Sequence, residues 1–168
     1  MREMRRTRQL LSIEETVKIF EHGTSGVLAL SGDDDYPYAV PKSYFYADGK
    51  LYFHSAKTSH KIDAIRRGSK ASFCVIEQDE IIPEKYTTYY RSAIAFGKVR
   101  ILEDDAEIRG AICQLAGKYR PGHEADRMGE IEKELPALCM FVLEVESMTG
   151  KEAIELVRRR TDSCTDNN

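Results

Sequence analysis

LYFHSAKTSHKIDAIRRGSKASFCVI, residues 51–76, packs a strand, a short helix and another strand into one stretch. The run from Leu51 to His54 has strand character and ends in a His and a Ser. Ser59 then stands where an N-cap belongs, Ile62 and Ile65 give a short helix its inward face, and Gly68 ends it. KASFCVI resumes strand character almost at once. Two strands joined this closely, with few helices between the strands elsewhere, argue against an open doubly wound sheet.

Upstream, YAVPKSYFYADGKLYFHS (38–55) reads as two strands around Asp48-Gly49, a strong hairpin signal between β-rich runs. Pro41 within the first of them implies an edge, a bulge or a ligand-facing backbone. SGVLALSG (25–32) is a mostly buried strand, broken by the acidic turn DDDY. Before it, SIEETVKIFEHG predicts a helix with Ser12 and Glu15 as a capping box. Ile13, Val17 and Phe20 form its stripe, and Gly23 is placed to close it in left-handed geometry.

Downstream, residues 70–82 and 87–102 add two strands. Ile108, Ile112, Leu115 and Tyr119 then follow helical spacing from an Asp104-Asp105 cap to a stop at Pro121-Gly122. A second short helix over Ala125, Met128, Ile131 and Leu135 ends at Pro136, and ALCMFVLEVESMTGK (137–151) returns to strand. The expectation is a mainly β, α+β fold: six mostly antiparallel strands in a small β-barrel with helices at its corners. Without repeat, linker or boundary, residues 1–152 read as one domain and 153–168 as a helical, polar tail.

The 168-residue chain carries a net charge of −3, with 42% hydrophobic and 32% charged residues, which suits a soluble protein and gives no pull toward nucleic acid. The basic ends MREMRRTR and RRR (158–160) read as solvated termini. No apolar run is long enough for a signal peptide or a membrane span. Cys74, Cys113, Cys139 and Cys164 form no CxxC, so a reducing cytoplasm is the expected compartment. The His residues are too scattered for a metal site.

The helix start near residue 60 is the chemically informative point. Free N–H groups at His60 and Lys61, the helix dipole, donors from His54, Ser55 and Ser59, and the Lys61 charge together suit a dianionic phosphate. The alternative is a solvated strand–helix connection whose Ser merely caps.

The run HSAKTSHKIDAIRRGSKASFCVI resembles the phosphate-binding region of the pyridoxamine 5′-phosphate oxidase-like flavoproteins, nearest the nitroimidazole-resistance-type branch. GVLAL, YAVPKSYFY, KLYFHSA, YRSAIAFGKVRIL, LAGKYRP and EVESMTGK extend the likeness over roughly residues 1–152. The resemblance implies a six-stranded antiparallel split barrel that forms a homodimer with FMN at the subunit interface. It implies that His54, Ser55, Ser59, His60 and Lys61 hold the FMN phosphate. Val40, Pro41 and Tyr44 would border the ring or ribityl chain, and Tyr90, Arg91 and Ser92 would approach from the other subunit. Two glycines of the family pattern are replaced, by Ser55 and by Ser59-His60.

For function, the resemblance implies an FMN-dependent oxidoreductase that reduces a small acceptor such as a nitro-aromatic, with NAD(P)H as a transient donor. The alternative is a flavin- or haem-binding sensor or carrier without turnover. His54 reads as a proton donor or a phosphate contact, and Arg91 as a flavin contact or a structural ion pair. No Arg-rich C-terminal motif supports pyridoxamine phosphate oxidase activity itself. One of the two longest irregular stretches, 77–88 or 118–129, is expected to border the pocket.

Overall fold

The computed structural model describes residues 3–165, with side chains through residue 160. Its strands are β1 (Ser25–Ser31), β2 (Pro37–Ser43), β3 (Phe45–Ala47), β4 (Lys50–Ala56), β5 (Lys70–Ile82), β6 (Thr87–Ile101) and β7 (Leu138–Glu152). The helices are α1 (Ile13–His22), α2 (His60–Arg67), α3 (Asp105–Tyr119), α4 (Glu124–Glu134) and α5 (Ile154–Thr165). The last three residues of the expected polar tail and the first two of the chain lie outside the described residues.

All seven strands form one antiparallel sheet in the order β2-β1-β5-β6-β7-β4-β3. β2 and β3 occupy opposite edges of that order, yet only Tyr44 separates them in the chain. The sheet therefore curls until its edges meet, which makes it a split barrel. One strand expected over 38–47 is in fact two, because the chain bends at Tyr44 and buries that side chain completely. Pro41 lies on the β2 edge, where its missing N–H leaves no ladder bond unmade.

The barrel interior is aromatic. Phe53 packs against Phe141 and Phe73, each with ring centroids 5.0 Å away, and Tyr44 meets Phe73 edge-on at 4.8 Å. A second core lies outside the barrel wall, where Ile112 and Leu115 of α3 and Ile131 of α4 cover Met140 and Val142. β7 thus buries both faces: Cys139, Phe141 and Leu143 inward, Met140 and Val142 toward the helices. That explains the unbroken apolar run ALCMFVL.

The capping box at Ser12 and Glu15 is formed, as the sequence pattern predicts. Gly23 is not left-handed; its φ is −60°. It is required for space, since a Cβ there would stand 2.5 Å from the Tyr44 hydroxyl. Positive φ falls instead on Asp34 and Asp35 in the acidic turn and on Asp48 and Gly49 in the β3–β4 hairpin. No described helix is long and apolar enough to cross a membrane.

Candidate functional site

The site forms where β2 and β4 meet the start of α2. Strand alternation sends Phe53 and Ser55 of β4 inward, while His54 points out of the barrel. On β2 the same alternation puts Tyr38 and Val40 on the inner side and carries Lys42 toward β4, where its Nζ donates to the His54 carbonyl at 2.6 Å. Ser55 Oγ lies 3.3 Å from Ser59 Oγ and accepts from Lys61 Nζ at 3.2 Å. Lys42, Ser55, Ser59 and Lys61 thus converge from three elements.

Ser59 is the N-cap residue of α2, but its side chain makes no capping bond. Its carbonyl takes the N–H groups of Ile62 and Asp63 at 2.9 and 3.1 Å. No hydrogen bond among the described residues takes up the His60 or Lys61 N–H. These donors are left pointing out of the helix start beside two ammonium groups.

The electrostatics are those of an anion site. No ion pair among the described residues includes Lys42 or Lys61. Partial burial, with the Lys61 charge adding to it, pushes the Lys42 pKa down. Burial also lowers His54, and Lys42 and Lys61 act in the same direction. Two hydroxyls, two N–H groups and two uncompensated cations fit the phosphate of a flavin nucleotide.

The other expected phosphate contacts divide. His60 stacks on Tyr38, with ring centroids 4.2 Å apart, and lies 3.3 Å from Asp33 Oδ2. Asp33 also binds Arg67 at 2.5 Å, so one carboxylate ties down both ends of α2. The His60 imidazole therefore orients the helix, and the backbone N–H is what it offers an anion. His54 lies across the wall of β4 from Ser55. It lines an outer cavity of about 440 Å³ with Ser43, Leu115, Tyr119, Ile131 and Leu138.

Two residues expected at the ring are placed differently by the structure. Tyr44 is wholly buried among Phe53 and Phe73, with Lys118 Nζ 4.4 Å from its ring centroid. Burial raises its pKa, and its ring is a core element that closes the barrel. Val40 is partly buried and packs against the main core. Pro41 faces outward, in register with Val27, Cys74 and Ile94.

Tyr90, Arg91 and Ser92 lie on β6 and engage a different set of residues. Arg91 meets Glu15 at 3.1 Å, Glu77 at 3.4 Å and Glu152 at 3.8 Å. The Tyr90 hydroxyl accepts from Gln9 Nε2 at 3.4 Å, and Lys151 Nζ lies 5.1 Å from its ring centroid. Ser92 pairs with Lys151 across the strand ladder. Within one chain, these three residues make no contact with the Lys42–Lys61 group.

The stretch 77–88 is not an irregular loop, since β5 and β6 run through most of it and only Pro83–Lys85 turn as a 3₁₀ helix. Residues 118–129 are largely the end of α3 and the start of α4, and Tyr119 carries them to the cavity. Tyr119 accepts the Tyr44 N–H at 3.1 Å and donates to the Thr24 carbonyl. Lys42, Tyr38, Asp33 and Tyr119 are the site residues that sequence reading missed. For Lys42 the signal was present: a lysine two positions after Val40 on the inward side of an edge strand.

The molecule is thus a split barrel in which two lysines, two hydroxyls and two free N–H groups gather at the start of a short helix. It belongs to the pyridoxamine 5′-phosphate oxidase family, whose model matches residues 12–152. No curated protein matches the sequence. Among solved structures, a candidate 5-nitroimidazole antibiotic resistance protein from Bacteroides thetaiotaomicron superposes with a TM-score of 0.74 at 20% identity, covering 85% of this chain and 86% of that one. An FAD and haem binding protein from Mycobacterium smegmatis gives 0.71 at 25% identity, over 87% and 73% of the two chains. A flavocytochrome from Azotobacter vinelandii gives 0.72 at 17% identity, over 90% and 72%.

Proposed function

We propose that this protein is a flavin-dependent oxidoreductase, active as a homodimer, that binds FMN and reduces a small acceptor such as a nitro-aromatic. The observation that carries the reading is the Lys42–Ser55–Ser59–Lys61 group, a cationic site whose two lysines form no ion pair among the described residues. Lys61, Ser55, Ser59 and the N–H groups of His60 and Lys61 hold the phosphate, and Lys42 supplies the second charge. Pro41 and the β2 backbone border the ring.

The flavin, when bound, supplies the electron transfer; the protein positions it and controls access. His54, kept neutral by burial and by the two nearby lysines, lines an apolar cavity next to the cation group. It can hydrogen-bond an uncharged substrate there without adding charge. NAD(P)H is the proposed donor.

The second subunit has a surface to occupy. Val27 and Ile94 are exposed although strand pairing aligns them with Pro41 and Cys74 in one row across β2, β1, β5 and β6. A second copy covering this row would bring Tyr90, Arg91 and Ser92 toward its partner's flavin. The reading also assigns the protein to the cytoplasm, in keeping with free thiols at Cys74, Cys113 and Cys139.

The names of the M. smegmatis and A. vinelandii relatives favour a second reading, a flavin or haem carrier without turnover. One experiment separates the two. The purified protein should show flavin bands and no Soret band. NADH or NADPH should bleach it without oxygen, and a nitro-aromatic should restore the colour faster than it reoxidises free FMN. Reoxidation at the rate of free FMN leaves the carrier reading and removes the reductase.

A further inference from the structure

We infer that the N-terminal segment builds a second anion site, which takes the diphosphate of an adenine dinucleotide. The sequence suggests a solvated basic end; Arg5, Arg6 and Arg8 are exposed, while the segment that carries them is folded onto the barrel. Thr7–Gln9 form a 3₁₀ turn, Leu10 bridges to Lys151, and the Leu11 N–H donates to the Gly150 carbonyl at 3.0 Å. Arg5, Arg6, Thr7, Arg8, Gln9 and Ile154 line a groove of about 400 Å³. A neighbouring groove of about 560 Å³ shares Arg5 and Arg6 and adds Lys151, with Glu3 as its one carboxylate.

Two independent features mark this as a ligand site. First, Arg5, Arg6 and Arg8 have no carboxylate within 4.0 Å among the described residues, whereas Arg66, Arg67, Arg91, Arg100, Arg109, Arg127 and Arg160 all do. Three guanidinium forks sharing one groove match the oxygens of a diphosphate. Second, Gln9 is only 5% exposed, and its Oε1 has no hydrogen-bond partner. A buried acceptor without a donor is unfavourable unless a ligand completes it. Gln9 also lines the groove, and a ribose hydroxyl or an adenine amine is a donor that would satisfy its Oε1 once the amide turns toward a ligand.

The groove also has a place in the proposed reaction. Gln9 and Lys151 both contact Tyr90, which the two-copy reading sends toward the partner's flavin. That placement alone rests on the proposed function. The adenosine diphosphate half could belong to FAD, extending the flavin itself, or to NAD(P)H, the electron donor. The chemistry at the groove is the same for both.

The probe is ADP, titrated by calorimetry into the full-length protein. ADP should bind, and the triple variant Arg5→Ala/Arg6→Ala/Arg8→Ala should weaken it by about a hundredfold or more, because three charge-assisted donors leave one site together. Lys61→Met should leave ADP affinity unchanged, and the triple variant should leave FMN affinity unchanged. A gain of FAD over FMN that the triple variant abolishes assigns the groove to the flavin. A gain of NADPH over the reduced mononucleotide, abolished likewise, assigns it to the donor. No ADP binding, ADP binding that ignores the arginines, or binding of single-stranded RNA in place of ADP would overturn the inference. Failure of FMN to bind would instead strike the flavin reading and leave the ADP result to stand by itself.

Discussion

Replacing Lys42 with Met separates two jobs that the structure gives one side chain. The Lys42 ammonium straps β2 to β4 through the His54 carbonyl, 2.6 Å away, and it faces Lys61 in a half-buried site without a carboxylate. In the flavin-free protein these effects oppose each other. Losing the strap removes a hydrogen bond worth about 1 kcal/mol net, whereas losing the charge relieves its partial burial and its repulsion with Lys61. The two nearly cancel, and about 1 kcal/mol moves the melting temperature of a chain this size by roughly 2–4 °C. In the complex the charge is required, and a charge-assisted contact is worth about 1.5–3 kcal/mol. At about 1.4 kcal/mol per decade, FMN affinity should fall roughly ten- to hundredfold. Fluorescence titration of the flavin-free variant with FMN, beside a thermal melt, reads both quantities. A melting temperature lowered by more than about 5 °C with FMN affinity changed less than about twofold would show that Lys42 is only a strap.

Three other outcomes follow from the geometry. The His54 pKa is below its usual 6.5, so the unfolded chain holds that proton more tightly. Flavin-free protein should therefore lose stability as pH falls below about 6.5, and sulfate, which offsets the lysines, should bind more tightly over the same interval, by at most about tenfold per pH unit; pH-independent sulfate binding would disprove the coupling. Arg91→Met takes the cation from Glu77 and leaves Glu15 and the almost fully buried Glu152 to Arg160 alone, so urea unfolding should show a loss of about 1–3 kcal/mol. An unchanged urea midpoint with lost FMN binding would make Arg91 a flavin ligand first. Val27→Asp with Ile94→Asp should yield a monomer by sedimentation with weakened flavin affinity, and a persistent dimer would move the interface elsewhere.

The fold was legible wherever local pattern and burial agree. Asp48-Gly49, the Ser12–Glu15 box and the run ALCMFVL each announce an element that the structure contains. The break at Tyr44 was not legible, because YAVPKSYFYA is rich in strand-forming residues on both sides of it and nothing local says that a tyrosine turns into the barrel. Gly23 illustrates the same limit: its need for space comes from Tyr44, far along the chain and in contact only after folding. At the site, Lys61 and its helix start could be read from one short segment. Asp33 and Tyr38 could not, since their roles depend on how β2 and the acidic turn pack against α2. Sequence order shows which residues are neighbours along a strand, and closure of the barrel decides which become neighbours across it.

The distribution of ion pairs points to function more directly than any motif. Most arginines on this surface are matched: Arg100 holds Glu107 and Glu144, Arg91 holds Glu15 and Glu77, and Asp33 holds both His60 and Arg67. With more acids than bases in the chain, carboxylates were available for Lys42 and Lys61 as well. Their absence leaves two cations near each other in a half-buried pocket, where burial first and the neighbouring charge second depress the pKa values of Lys42 and His54. Stability alone would favour an Asp or Glu there, as Asp33 shows beside the same helix. A local conflict of this kind persists where a bound group resolves it. Unmatched cations gathered in one place, Lys42 and Lys61 at the helix start and Arg5, Arg6 and Arg8 in the N-terminal groove, therefore mark the two sites where this protein should meet an anion.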